Sequence, residues 1–237
     1  MSERSCNYLA LGFLLTVTLN NISIPALANP ATVTSPKTIL RVYNYASVPP
    51  KVLARAEEET TIIFGEAGVL TLWLDCPISM AEFDRYPACQ QPSGPADLIL
   101  RILPRSMAER EPSDDSTLGF ALPGRPGMPG RIANVFYHRV REVAWRGQYF
   151  EFQILGNAMA HEIGHLLLGS MNHSPTGIMK AKWNRMELHP TSLGFLQFTS
   201  EQAALMRHEV VSRIKHPDFI QDGGRVNPGL VMVGKDP

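Results

Sequence analysis

The pattern of apolar and polar positions divides the first half of the chain into a strand, a helix and a second strand. Residues 38–46, TILRVYNYA, alternate apolar and polar side chains and are rich in β-branched and aromatic types, which predicts a strand. Pro50 suits a helix start, and apolar positions then recur at helical spacing until Gly65 or Gly68. A second strand is predicted directly afterwards, at 69–76. This order favours a parallel pair of strands with a right-handed crossover.

Two further strands are predicted in the middle of the chain, separated by a long aperiodic segment. The run ADLILRILP at 96–104 is apolar enough for a strand that is covered on both faces. RIANVFYHRV at 131–140 is predicted as the fourth strand. Residues 105–130 show no periodic pattern and end in LPGRPGMPG, so they indicate either a long ordered loop or flexible flap, or a disordered spacer.

The second half of the chain predicts two helices. The longer one runs from about Tyr149 to Leu168, where apolar side chains recur every three or four residues and Gly169 is a natural terminator. The other begins where Thr199 and Gln202 form a capping-box pattern ahead of an apolar stripe. The folded part of the chain is therefore expected to end in a helix.

The two ends of the chain are predicted to lie outside the fold. Residues 1–28 indicate a signal peptide, because the uncharged run LALGFLLTVTL precedes an Ala-Leu-Ala cleavage site ending at Ala28. That run is well short of the roughly 20 residues that a membrane span needs. Residues 29–37 form a polar leader, and 217–237 form a polar, glycine-rich tail expected to be flexible. We therefore expect a secreted protein, extracellular or periplasmic, without membrane contact once the signal is removed.

Composition narrows the class of protein further. With 237 residues, of which 44% are hydrophobic, the chain can form one sizeable core. Its 22 basic residues balance its 22 acidic residues, and no long run of like charge occurs. A protein that binds nucleic acid or an anionic membrane through electrostatics would carry a basic patch, so neither partner is expected.

The cysteines predict one structural disulfide. Cys6 would leave with the signal peptide, so Cys76 and Cys89 would remain in a compartment that permits disulfides. The twelve residues between them do not match the tight Cys-x-x-Cys spacing of a metal hook. Closing a loop of this size would stabilise the fold by about 3 kcal/mol in the chain-entropy model.

The stretch HEIGHLLLGSMNHSPTGIM, residues 161–179, carries the candidate chemistry. Positions four apart on a helix project from the same face, so His161 and His165 can direct ring nitrogens at a single ion. Glu162 lies about 100° around the helix, beside such an ion but not bound to it, where it can accept a proton from water. A catalytic zinc ion needs three protein ligands, and His173 can supply the third. The alternative is a pair of core histidines without a metal.

The same stretch resembles the metzincins, zinc endopeptidases that carry H-E-x-x-H-x-x-G-x-x-H followed by a methionine turn. HSPTGIM is similar to the matrixin form of that turn, in which histidine and serine precede a short loop that ends in methionine. The resemblance implies Zn²⁺ as the cofactor and Glu162 as the general base. It also implies His161, His165 and His173 as metal ligands, with Met179 beneath the metal.

The resemblance also implies a fold. Metzincins have an α+β fold, here expected over residues 38–216, with a twisted mixed sheet of about four to five strands, an active-site helix and a small C-terminal helical subdomain. RIANVFYHRV, at 131–140, stands where these enzymes have an antiparallel edge strand. Such an edge can bind an extended peptide by strand addition; an ordinary internal strand is the alternative reading of this segment.

The spacing of the third ligand departs from the family pattern. The strict register places glycine at 168 and histidine at 171, where this chain has Leu168 and Met171. In this chain the glycine comes one residue later and the histidine two residues later than the pattern requires. The connecting loop must therefore bring the histidine back towards the other two ligands. A downstream carboxylate, Glu187 or Glu201, therefore remains an alternative third ligand, and His189 is a weaker one.

These observations predict a secreted zinc endopeptidase that hydrolyses a peptide or protein substrate. Two alternatives remain open on the sequence. One is a non-catalytic secreted module, in which zinc is structural or absent and the 105–130 segment binds a partner. The other is a zinc amidase that acts on cell-wall peptide rather than on protein.

Overall fold

The computed structural model describes four stretches of the chain, residues 35–111, 116–125, 128–189 and 196–216. The predicted signal peptide, residues 29–34 of the leader and the predicted C-terminal tail lie outside these stretches. Among the helices in the described stretches, none combines the length and the apolar character that a membrane span requires.

The described residues form an α+β fold around a mixed five-stranded sheet, in agreement with the predicted four to five strands. The strands are β1 (Lys37–Asn44), β2 (Leu70–Cys76), β3 (Leu98–Leu103), β4 (Gly119–Ala121) and β5 (Ile132–Phe136). Their order across the sheet is β2-β1-β3-β5-β4. Neighbours from β2 to β5 are parallel, as the predicted crossover requires, and β4 is antiparallel to β5.

Six α-helices accompany the sheet in the described part of the chain. They are α1 (Pro50–Glu66), α2 (Pro87–Gln90), α3 (Arg105–Ala108), α4 (Tyr137–Gly147), α5 (Glu151–Leu168) and α6 (Ser200–Lys215). The predicted helix starting at Pro50 is α1, and the predicted long apolar helix is α5. The predicted capping box is present at α6, where Gln202 N donates to Thr199 Oγ1 over 3.2 Å and Thr199 N donates to Gln202 Oε1 over 2.9 Å.

The strand predicted over 131–140 is shorter than expected, and of its two readings the ordinary internal strand is the one found. The strand β5 ends at Phe136, and Tyr137 begins α4. It also lies inside the sheet, between β3 and β4. β-branched and aromatic side chains continue past Phe136, so local propensity does not mark the boundary. Val140 and Ala144 are both buried at helical spacing, which shows that packing of α4 decides the conformation here.

The edge strand comes instead from the segment predicted to be aperiodic. Residues 105–130 contain the short helix α3 and the three-residue strand β4, which pairs with β5 from Gly119 to Ala121. Beyond β4, Met128 N donates to Arg125 O over 2.8 Å. Of the two readings of this segment, the described residues match an ordered structure. A strand of three residues is too short to give a periodic signal.

The main core lies on one face of the sheet. Leu40 and Val42 of β1 point into a cluster shared with α1, α5 and α6, while Tyr43 faces a smaller cluster on the opposite side. Cys76 and Cys89 belong to that smaller cluster and form the predicted disulfide. The helix α5 packs against α1, α4, α6, β4 and β5, so it runs through the middle of the molecule.

Candidate metal centre

The helix α5 carries the candidate residues in the interior of the molecule. All side chains from Ile154 to Leu167 are buried, because the sheet covers one side of the helix and neighbouring helices cover the others. The helix ends at Gly169, whose φ of 61° is left-handed, as the sequence predicted. His161, Glu162 and His165 are therefore held on a rigid element within two turns of its C-terminal end.

Hydrogen bonds fix the orientation of the two helical histidines. The Nδ1–H group of His161 donates to the Ile178 carbonyl over 2.7 Å, and that of His165 donates to the Ser170 carbonyl over 2.8 Å. A proton on Nδ1 leaves the Nε2 lone pair of a neutral ring free. The two Nε2 atoms face each other at 3.1 Å. Two unprotonated nitrogens at this distance are satisfied by a shared cation.

Burial favours the neutral, ligand-competent form of both rings. It lowers the pKa of His161 to about 4, although the hydrogen bond to the Ile178 carbonyl opposes the shift. Burial likewise lowers the pKa of His165, against the opposing bond to the Ser170 carbonyl. Metal binding requires unprotonated imidazole, so near neutral pH these rings need no proton release to bind an ion.

His173 completes a group of three. It is exposed, but its ring lies 5.2 Å from that of His161 and 5.1 Å from that of His165, measured between ring centroids. One ligand nitrogen from each of the three rings lies within 4.8 Å of the others. The loop from Gly169 to His173 therefore brings the third histidine to the other two, although the glycine and the histidine come later in this chain than in the metzincin pattern.

The downstream alternatives do not join this group. Among the described residues, the three histidines are the group of potential ligands that comes together here. Glu187 instead accepts from Lys180 Nζ over 2.7 Å and from the Asn184 amide over 2.7 Å. Glu201 lies exposed in the first turn of α6. Neither carboxylate, nor His189, is brought to the histidines.

A turn from Ser174 to Met179 contacts the site through the Ile178 carbonyl. The Ser174 amide donates to the Met179 carbonyl over 2.8 Å, and the Ile178 amide donates to the Gln197 carbonyl over 3.0 Å. The Ile178 carbonyl accepts from Trp183 Nε1 over 3.0 Å as well as from His161. The turn therefore holds the first histidine through a carbonyl that is itself anchored by an indole.

Met179 is fully buried against α5 at Gly164. A Cβ on Gly164 would lie 2.8 Å from Met179 Sδ and 2.8 Å from Phe198 Cε1. The ring of Phe198 is packed on Phe64, with 5.2 Å between centroids, and cannot easily move away. The glycine inside the H-E-I-G-H motif thus leaves room for the methionine to pack against α5.

Replacing Gly164 with alanine is expected to lower the free energy of unfolding by about 1–3 kcal/mol, the usual cost of adding a methyl group to a filled core. Gly65 in α1 is the matched control, since nothing lies within 4 Å of a Cβ there. Gly65→Ala is expected to stabilise by roughly 0.5–1 kcal/mol. Urea denaturation of both variants measures the difference. Equal stabilisation by both substitutions would contradict the close packing of Met179.

Glu162 is buried next to the edge strand. A Cβ on Gly119 of β4 would lie 2.8 Å from Glu162 Cγ and 3.0 Å from its Oε1, so the backbone of the strand lies directly on the carboxylate. Burial raises the pKa of Glu162 to about 8. Its oxygens are not part of the three-histidine group. A dication in that group would favour the ionised carboxylate and oppose the effect of burial.

Sequence reasoning missed the partners that support the site. Gly119 lies in the aperiodic segment, and Trp183 follows the motif without any spacing rule that ties it to His161. The carbonyl of Ile178 is a backbone group, which no residue type reveals. A glycine in the segment before the motif was the available signal, because close approach of a backbone commonly requires one.

Fold and site together define an α+β domain with a buried helix, a three-histidine group that can hold a metal ion, and an adjacent unligated glutamate. No family model matches the chain, and no curated protein matches it. Among solved structures, the chain is similar to the crystal structure of archaemetzincin from Methanopyrus kandleri. The identity is 17%, the TM-score is 0.43, and the match covers 76% of this chain and 98% of that one. The functional assignment therefore depends on the residues of the site.

Proposed function

We propose that this protein is a secreted, zinc-dependent endopeptidase that hydrolyses peptide bonds. The observation that supports the proposal is the convergence of three imidazoles beside a buried glutamate that is not a ligand. Three protein nitrogens with one open position are typical of catalytic zinc sites, whereas structural sites close all four positions with protein ligands. Imidazole ligands suit zinc, and the carbonyls of Ile178 and Ser170 accept from the Nδ1–H groups of His161 and His165, which orients these rings as ligands of a metal ion are commonly oriented.

The three histidines and Glu162 have separate roles in the proposed hydrolysis. When bound, zinc supplies the Lewis acidity that makes water a competent nucleophile near neutral pH and polarises a peptide carbonyl. His161, His165 and His173 hold the ion. Glu162 accepts the proton of the attacking water and delivers it to the departing amine. Its burial beside Gly119 keeps the carboxylate in one place for both transfers.

The edge strand β4 provides the means of binding an extended substrate. It pairs with β5 on one side, and it is the last strand of the sheet on the other. Its first residue, Gly119, lies on Glu162, so a peptide that adds to this edge passes the general base. Substrate binding by strand addition, predicted from residues 131–140, is thus proposed for β4 instead.

Two features of the proposal depend on the sequence motifs. Secretion follows from the predicted signal peptide at 1–28. The likeness to matrixins rests on His173 and Ser174 ahead of Met179, and the bond between the Ser174 amide and the Met179 carbonyl closes that turn. A structural zinc site would require a fourth protein ligand, and the group found among the described residues has three.

Metal removal tests the proposal. Treatment with a chelator is expected to abolish cleavage of a casein-type substrate, and stoichiometric zinc is expected to restore it. Zinc at a free concentration of about 100 times its Kd stabilises a folded protein by about 2.7 kcal/mol, so Tm is expected to fall by roughly 5–10 °C on chelation. Calorimetry and the cleavage assay are run on the same samples. Full cleavage in metal-free protein would contradict the proposal.

A further inference from the structure

A pocket of about 400 Å³ opens beside His165, towards the C-terminal end of α5. One wall is α5 and the segment that follows it, including Leu166 and Met171. The other wall is the segment that follows β4, including Leu122, Arg125 and Met128. The pocket therefore lies between the candidate metal centre and the continuation of the edge strand.

The wall after β4 is held in place. The Leu122 amide donates to the Ile132 carbonyl over 2.8 Å, which continues the pairing with β5 beyond the strand. Arg213, whose side chain is 1% exposed, donates to the Gly130 carbonyl over 3.1 Å and to the Leu166 carbonyl over 2.7 Å. One buried guanidinium thus ties this wall to α5, so the two sides of the pocket are fixed relative to each other.

The chemistry of the walls fits a bulky apolar side chain. The lining includes two leucines and two prolines, and no aspartate or glutamate contributes to it among the described residues. Met128 and Met171 add thioethers, which make favourable contacts with aromatic rings. Arg125 is exposed, and its guanidinium can stack on a ring at the mouth of the pocket. An aromatic side chain uses all three kinds of contact.

The direction of β4 relates the pocket to the bond that is cut. The strand begins at Gly119, which lies on Glu162, and three residues later Leu122 lines the pocket. A peptide that pairs antiparallel to β4 runs the opposite way, from the pocket towards Glu162. Its residues on the N-terminal side of the scissile bond therefore pass over the pocket.

We propose that this pocket is a specificity site for an aromatic side chain, carried by one of the two residues that precede the scissile bond. The inference rests on the proposed peptidase function and names the substrate class for the same site. The enzyme would then select extended peptides with phenylalanine, tyrosine or tryptophan just before the point of cleavage. In an apolar pocket, one methylene group more or less on the substrate side chain changes kcat/KM by about 10–200-fold.

A positional peptide library tests the inference. Each of the two positions on either side of the scissile bond is varied between Phe, Trp, Ala and Glu, and kcat/KM is measured with the zinc-loaded protein. Phe and Trp are expected to exceed Ala by about tenfold or more at one position before the bond. Leu122→Trp, which fills the pocket, is expected to reduce that ratio to near one. Leu72→Trp, at an exposed leucine of β2 on the opposite edge of the sheet, is the matched control and is expected to keep it.

A binding measurement separates this inference from the proposed function. Calorimetry compares N-acetyl-Phe-Phe hydroxamate with N-acetyl-Ala-Ala hydroxamate on zinc-loaded protein, because these compounds carry a side chain at both positions before the bond. The aromatic compound is expected to bind about tenfold more tightly. Leu122→Trp is expected to remove the difference. If zinc binds and peptides are cleaved without aromatic preference, or with a preference for Glu or only after the scissile bond, the pocket assignment is wrong and the peptidase assignment stands.

Two further outcomes would overturn the proposed peptidase function itself. If zinc binds and no peptide is cleaved, the proposed function is wrong, and the hydroxamate comparison then supports or overturns the pocket on its own. If the purified protein does not bind zinc, the proposed function and the specificity site are both wrong.

Discussion

Glu162→Ala is expected to lower kcat for peptide hydrolysis by about 10²–10⁴-fold while zinc remains bound, because general acid–base catalysis contributes a factor of this size. The ligands are three histidines, so the loss of this carboxylate removes no ligand. Glu162→Gln, which conserves shape and removes the charge, is expected to have an effect of the same order. Steady-state kinetics with zinc analysis of the same preparations measures both quantities.

The matched control for this prediction is Glu58→Ala, at an exposed glutamate of α1. It is expected to leave both kcat and zinc content unchanged. If Glu162→Ala retained full turnover on a casein-type substrate, the carboxylate would not be the general base. If it lost zinc together with activity, Glu162 would be acting as a ligand, contrary to its position outside the histidine group.

Loss of a group that only hydrogen-bonds to a metal ligand weakens metal binding by roughly 10–100-fold. His173→Ala removes a ligand itself, so it is expected to weaken zinc binding by more than this. Activity at limiting zinc should fall in parallel. The ring of His173 is exposed and fills no core position, so the variant should fold as the parent does. Competition titration with a chromogenic zinc chelator measures the affinity, and circular dichroism verifies the fold.

Two control variants test whether the loss of zinc affinity is specific to His173. His208→Ala removes another exposed histidine, from α6, and should leave the affinity for zinc unchanged. Glu201→Ala removes the exposed carboxylate that the sequence offered as an alternative ligand and should also have no effect. Loss of zinc in Glu201→Ala but not in His173→Ala would assign the third ligand to α6 and overturn the geometry of the site.

The long periodic elements of the fold were predictable from the sequence, and the short ones were not. The helix α5 repeats its apolar pattern over five turns, and the capping box at Thr199 marks the start of α6 through residue types alone. In contrast, β4 has three residues and α4 begins within a run of strand-forming side chains. At both places contacts distant in sequence decide the conformation, so local pattern could not supply it.

The candidate site shows the same contrast between features that local spacing predicts and features that depend on tertiary contacts. A spacing of four on a predicted helix places His161 and His165 on one face by geometry alone, and the structure puts their Nε2 atoms 3.1 Å apart. The position of His173 depends on the path of a loop, which spacing does not determine. The packing of Gly119 on Glu162 depends on the sheet order, which places β4 beyond β5. Sequence thus indicated the ligands on the helix, and tertiary structure was needed for everything that crosses from one element to another.

Metal analysis of the purified protein, without added metal and after extensive dialysis, shows whether the three histidines hold zinc. Close to one zinc ion per chain is expected, retained at neutral pH and lost from His161→Ala and His165→Ala. A protein that folds, carries no zinc and fails to take up the ion on titration would contradict this expectation. In that case the three imidazoles would be an arrangement of side chains without a metal, and hydrolysis by Glu162 would have no basis.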